Sequence, residues 1–244
     1  MKNLVSPLDQ MMGRRKRIAV YGGTFDPVHV GHMAVAQGLL ESFGLDEVLF
    51  IPAHVAPHKR DNTVSPSLHR YTMLALATQD DDALRVSTIE LDAPEKPYTV
   101  ETMARLGREF GEEKQLFFVM GADSWSEIAT WREWERLLLM TDHIIVARPG
   151  YELKTEHVTP TIRERIADLR GCQRDEIVNR VGGRNKPGIF VTDTVFMDVS
   201  ATFIRDKIRT RSSVDWLPLV PTQIATYITK YGLYEREYER ESND

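Results

Sequence analysis

The run Ile18-Ala19-Val20-Tyr21-Gly22-Gly23-Thr24-Phe25-Asp26-Pro27-Val28-His29-Val30-Gly31-His32 passes from a short apolar segment through two glycines into residues of helical spacing. That order predicts a buried strand, a tight turn and a helix opening near His29. Paired glycines let a backbone come close to a phosphate, and a helix start offers free N–H groups at the positive end of its dipole. The turn therefore reads as an anion site. His29 and His32 are three apart, which places their rings on one helix face, with Gly31 between them leaving room for a ligand. Two histidines with no third ligand or nearby Glu make a poor metal set, so no protein-built metal site is expected. The glycine spacing is not Gly-x-Gly-x-x-Gly, which disfavours a dehydrogenase.

Outward from this turn, short β-branched or apolar runs recur at Ile18 to Tyr21, Val48 to Ile51, Arg85 to Ile89, Leu116 to Met120, Ile144 to Ala147 and Ile189 to Thr192. Met33 to Phe43, Ser67 to Thr78, Thr99 to Phe110 and Ser126 to Met140 have the length of crossover helices. The expected fold is α/β, a doubly wound and mainly parallel sheet with helices on both faces. In such sheets ligands bind beyond the carboxyl ends of the strands, where the strand order reverses. The glycines and charges of 171–188 read as an irregular insertion, and Pro221 to Tyr231 as a closing helix.

Composition narrows the classes. A chain of 244 residues buries a full core, and its single Cys172 excludes an internal disulfide. The first residues lack the apolar core of a secretory signal, and the longest apolar runs fall far short of the roughly 20 residues that span a bilayer. A cytoplasmic location with no membrane partner is expected. The net charge of −5 argues against a general nucleic-acid partner, although a small phosphate needs only local donors. Arg14-Arg15-Lys16-Arg17 reads as a solvated flank before the first strand rather than a nucleic-acid patch.

Further residues just after predicted strands can carry chemistry. Ser200-Ala201-Thr202-Phe203-Ile204-Arg205 reads as a capped helix start, with Ser200 the natural N-cap. His58 and Lys59 put an imidazole and a point charge where a phosphate could sit, and an ordinary surface lysine is the equal alternative. Thr99 suits a helix cap. Asp123, in Gly121-Ala122-Asp123, suits a ribose diol and would repel phosphate. Trp125 and Trp134 read as packing residues.

Gly-Gly-x-Phe-Asp-Pro-x-His-x-Gly-His over 22–32 resembles the signature of the His-x-Gly-His nucleotidyltransferase superfamily, and 200–205 resembles its Ser-Ser/Thr-Thr-x-Ile-Arg box. Pro57-His58-Lys59, Pro97-Tyr98-Thr99, Gly121-Ala122-Asp123, Trp131 and Arg148-Pro149-Gly150-Tyr151 are similar to segments of one branch, the nicotinate-nucleotide adenylyltransferases. The resemblance implies a Rossmann-like nucleotidyltransferase that joins ATP to nicotinate mononucleotide in NAD biosynthesis, with Mg2+ carried on the ATP phosphates. It implies catalytic roles for His29, His32, Lys59 and Arg205. It implies ATP contacts from Gly22, Gly23, Thr24, Phe25, Gly121, Asp123, Ser200 and Thr202, and mononucleotide contacts from His58, Tyr98, Thr99, Trp131 and Arg148. The alternatives it leaves are nicotinamide mononucleotide or phosphopantetheine as acceptor, or a non-catalytic nucleotide sensor. The resemblance runs from Arg17 to Tyr234, so one nucleotidyltransferase domain over 17–234 is expected, between a 1–16 extension and a charged 235–244 tail. Homo-oligomerisation is left open.

Overall fold

The computed structural model describes residues 15–54, 64–148, 150–184, 186–194, 199–210 and 215–235. Seven strands form one sheet: β1 (Lys16–Gly23), β2 (Glu47–Pro52), β3 (Leu84–Val86), β4 (Lys114–Gly121), β5 (Asp142–Val146), β6 (Ile166–Asp168) and β7 (Ile189–Thr192). Their order is β3-β2-β1-β4-β5-β7-β6 and every pairing is parallel. The chain steps outward from β1 to β3 and then returns to β4 on the other side of β1. The order therefore reverses between β1 and β4, which opens a crevice beyond Gly23 and Gly121.

Because side chains alternate along a strand, β1 feeds both faces of the sheet: Ala19 packs on one side, Ile18 and Val20 on the other. The first face is covered by α1 (Val30–Phe43), α2 (Ser67–Thr78), α7 (Arg174–Val181), α8 (Ala201–Thr210) and α9 (Thr222–Tyr231). The second is covered by α3 (Thr99–Phe110), α4 (Ala122–Ser126), α5 (Trp134–Met140) and the single turn α6 (Pro160–Arg163). The doubly wound parallel fold expected from sequence is the one observed. No helix among the described residues is long and apolar enough to cross a membrane.

Four readings need correction. Residues 171–188 are not irregular, because α7 occupies their middle and buries Ile177 and Val181. Arg17 fastens this helix by donating to the carbonyls of Phe43 (3.2 Å) and Val178 (3.5 Å), so Arg17 is a structural tie rather than a solvated flank. The single helix expected over Ser126 to Met140 is broken: Trp131 is extended and Glu133 adopts a left-handed φ of 48°, which separates α4 from α5. The third strand is only Leu84–Val86, and β6 has no counterpart in the sequence reading.

His143, in β5, is 0% exposed, and burial pushes its pKa down to about 3. An unfolded histidine titrates near 6.5, so below that pH the unfolded chain takes up a proton that the native core refuses. Stability from this residue is complete above pH 6.5 and falls as pH drops toward 3, by about 1.4 kcal/mol per pH unit. Urea midpoints measured at pH 7 and pH 5 are expected to fall less for His143→Leu than for the wild-type chain. An identical fall would remove His143 from the acid response.

Candidate active site

The larger cavity at the reversal point, about 430 Å³, lies under the end of β1 and the start of α1. His29 caps α1, and its ring stacks on that of His32 with centroids 3.7 Å apart. The His29 backbone N–H donates to His32 Nδ1 (3.3 Å), which leaves the proton of a neutral His32 on Nε2. Burial lowers the His29 pKa to about 4 and holds His32 well below its usual value, with His29 adding to the effect on His32. The pair is therefore two neutral imidazoles near pH 7, and a polyanion would be the natural ligand to draw protons onto them.

Facing this pair, Ser200 caps α8 by accepting the Phe203 N–H (3.2 Å), and Thr202 Oγ1 accepts from Arg205 (3.2 Å). Arg205 also donates to the carbonyl of Asp26 (2.6 Å) and so joins the two phosphate boxes. His29, His32, Ser200, Thr202 and Arg205 line one cavity, as do Thr24, Phe25, Gly121 and Asp123. Arg148 lines this cavity too, beside the phosphate boxes and apart from Tyr98, Thr99 and Trp131, with which the resemblance groups it.

A second cavity of about 240 Å³ lies on the other side of β1 and carries Tyr98, Thr99 and Trp131. Trp131 is set edge-on to Phe118, centroids 6.2 Å apart, and Arg132 lies 4.8 Å from the Tyr98 ring. Gly22 and Gly23 line this smaller cavity, apart from Thr24, Phe25 and the other residues grouped with them, which reach the larger one. A Cβ on Gly23 would sit 2.9 Å from the buried Phe25 ring, so that glycine makes space for packing. Gly31 likewise makes room for the His29 ring, 3.1 Å from where its Cβ would be, and lines the larger cavity. Tyr98 is the N-cap of α3 and Thr99 its first residue, which corrects the reading of Thr99 as the cap.

Two buried groups that sequence reasoning missed hold the cavities in place. Arg70 of α2 is 1% exposed and donates to four carbonyls: Thr24 (2.8 Å), Ala53 (2.7 Å), Ser65 (3.1 Å) and His54 (3.4 Å). Asp26, 2% exposed, accepts from the Ser65 N–H (2.9 Å) and the Tyr234 hydroxyl (2.7 Å). Glu90 lines the smaller cavity and accepts from Thr102 Oγ1 (2.8 Å); burial raises its pKa, against the pull of Thr102, the His54 amide and Arg70. The available signal for Arg70 was its place on the apolar stripe of α2 with Met73, Leu74 and Thr78. His58 and Lys59 lie outside the described residues.

Comparison with known proteins identifies the family and the fold. Residues 20–207 match the family described as cytidylyltransferase-like. A probable nicotinate-nucleotide adenylyltransferase of Thermoanaerobacter is 34% identical over 93% of this chain and 99% of its own length. The Bacillus subtilis nicotinate-nucleotide adenylyltransferase is 30% identical over 90% of this chain and 99% of its own. The chain belongs to the nicotinate-nucleotide adenylyltransferase family. The Plasmodium falciparum nicotinic acid mononucleotide adenylyltransferase in complex with NaAD shares the fold, with a TM-score of 0.68 at 18% identity over 92% of this chain and all of the other.

With the family known, the Gly-Gly-x-Phe-Asp-Pro segment has a structural explanation of its own. Phe25 takes a φ of 50° so that its ring packs edge-on against Tyr21, Phe50 and His32, and Asp26 becomes the anchor for Tyr234. Those contacts set the height at which α1 begins, and with it the positions of both histidines.

Proposed function

We propose that this chain transfers the AMP part of ATP to the 5'-phosphate of nicotinate mononucleotide, forming nicotinate adenine dinucleotide and pyrophosphate. The observation that carries this is Thr24, which borders both cavities at the crevice between β1 and β4. The larger cavity suits a triphosphate, with neutral histidines, hydroxyls and an arginine. The smaller suits an aromatic ring, with Trp131 and Tyr98 as flat surfaces and Thr99 as a donor. Arg132 is the cation among that cavity's lining residues and favours an acid over an amide on the pyridine ring.

In the reaction, a phosphate oxygen of the mononucleotide attacks the α-phosphorus of ATP from the side opposite the bond to the β-phosphate. A new P–O–P bond forms, the bond to the β-phosphate breaks, and pyrophosphate leaves with the electron pair. No side chain becomes covalently attached. The protein's work is positioning and stabilisation of charge on the α-phosphate. His32 Nε2–H and Arg205 serve as donors there, His29 holds the adjacent phosphate, and Ser200 and Thr202 grip the chain of phosphates at the start of α8. Lys59 and His58 are assigned to the acceptor's phosphate and Asp123 to a ribose hydroxyl. Arg148 serves a nucleotide phosphate from the larger cavity.

Magnesium would be carried on the ATP oxygens rather than by a protein-built site. Among the described residues no group of three or more His, Cys, Asp or Glu could hold a metal, and the buried Asp26 is occupied by Ser65 and Tyr234. The ion's ligands would then be the ATP oxygens and water, as suits magnesium, and its charge would offset that of the phosphates.

Trp131→Ala tests the division of labour between the cavities. The KM for nicotinate mononucleotide is expected to rise about 5- to 150-fold, as removal of about 1–3 kcal/mol of ring contact implies, while the KM for ATP stays within about twofold. A rise confined to ATP would reverse the assignment.

A further inference from the structure

At the amino ends of the strands, opposite the reaction crevice, a separate cleft of about 450 Å³ gathers Arg15, Arg108, Lys114, Arg184 and Lys186. Five cations around one cleft in a chain of net charge −5 is a costly arrangement unless something neutralises them. Elsewhere several of the protein's arginines and lysines find acids, such as Lys16 with Glu47, Arg105 with Glu109, Arg180 with Glu176 and Arg209 with Asp206, and the buried Arg70 spends its donors on carbonyls. None of the five takes part in an ion pair among the described residues. Two are instead steadied by aromatic rings, Lys114 at 3.9 Å from the Phe110 centroid and Arg184 at 5.6 Å from that of Phe190, which orients a cation without cancelling its charge.

Two acids also line the cleft, Glu112 and Asp142. Asp142 is buried, and its oxygens accept from the Gln115 amide (2.9 Å) and the Gly188 N–H (2.7 Å). Its charge offsets part of the cluster and leaves a clear positive excess. Lys114 and Gly121 stand at opposite ends of β4, and at about 3.3 Å per residue the cleft is roughly 23 Å from the larger cavity. It is not a lobe of the reaction site.

We infer that this cleft is a second anion site, built for a polyphosphate anion of three or more charges. The anion is either a free inorganic chain or the phosphate tail of a nucleotide. The excess of cations over acids sets the charge, and the size of the cleft sets the length.

The test is a titration of the 15N-labelled full chain with sodium tripolyphosphate, followed at the amides of Gly107 and Gly111 and the side-chain amide of Gln115. These signals are expected to shift and saturate, at least tenfold more tightly than with orthophosphate, as one added charge-assisted contact implies. In R108Q/R184Q/K186Q the affinity read at the same signals is expected to drop at least tenfold, with shifts at Gly31 and Gly121 unchanged. Arg108→Gln alone, an exposed change, gives the same direction should the triple variant fold poorly. Equal affinities for tripolyphosphate and ATP at these signals support an inorganic chain, and tighter ATP binding supports a nucleotide. Absence of shifts at these three positions, or equal affinity in wild type and variant, overturns the site.

Discussion

Replacing His32 by alanine is expected to lower kcat for adenylyl transfer by about 10²–10³-fold with little change in the KM for either substrate. That magnitude is what one preorganised donor to a developing oxyanion is worth, about 3–4 kcal/mol in a site shielded from water. Because the His29 N–H occupies Nδ1 of His32, the neutral ring carries its proton on Nε2 and can donate without first being protonated. Burial among Tyr21, Phe25 and His29 keeps it in that state in the free enzyme. A ground-state contact would appear in KM, whereas one strengthened only at the transition state appears in kcat. Full turnover by His32→Ala in the same assay would remove the histidine pair from catalysis, and a Tm within a few degrees of wild type would show that the loss is chemical.

Arg70→Met is expected to cost about 3–5 kcal/mol of stability and to damage both cavities at once. Methionine fills much of the same volume but leaves the carbonyls of Thr24, Ala53, Ser65 and His54 without their donor inside the protein, and an unpaired buried acceptor costs about 1–3 kcal/mol. It also strands the carboxylates of Asp26 and Glu90, both of which feel the guanidinium charge. For a protein of this size the loss corresponds to a drop in Tm of roughly 10 °C. Since Thr24 borders both cavities and its carbonyl is held by Arg70, the KM values for ATP and mononucleotide are expected to rise together at a temperature where the variant is still folded. A variant as stable as wild type would mean that water or a backbone shift replaces the arginine, and the positioning role would fall with it.

The sheet was legible because its signal is local. Ile18 to Tyr21 and Leu116 to Met120 are buried on both faces and read as continuous apolar runs, and the glycine turn and Ser200 mark where helices start. The short β6, with only Ile166 to Asp168 and no apolar run, carries no such signal. α7 was hidden by the glycines around it, and its place depends on Arg17 reaching from another strand. The members of the site were readable from motifs, but not their sides. Assigning Arg148 to one cavity and Gly22 and Gly23 to the other requires knowing which way each strand end faces, and a one-residue change of register reverses that. Arg70 offers only its place on the apolar stripe of α2, and Asp26 offers no local sign that its charge is buried; their partners are 5 to 208 residues away.

The most direct test of the account is steady-state pyrophosphate release by the full chain with ATP, magnesium and either nicotinate mononucleotide or nicotinamide mononucleotide, with phosphopantetheine as a third acceptor. The two-cavity reading, with Arg132 beside the aromatic pocket, predicts a kcat/KM at least tenfold higher for the acid, the equivalent of about 1.4 kcal/mol, and no release with phosphopantetheine. Silence with every acceptor would contradict the enzyme assignment, and equal use of the two pyridine substrates would contradict the acid specificity of the smaller cavity.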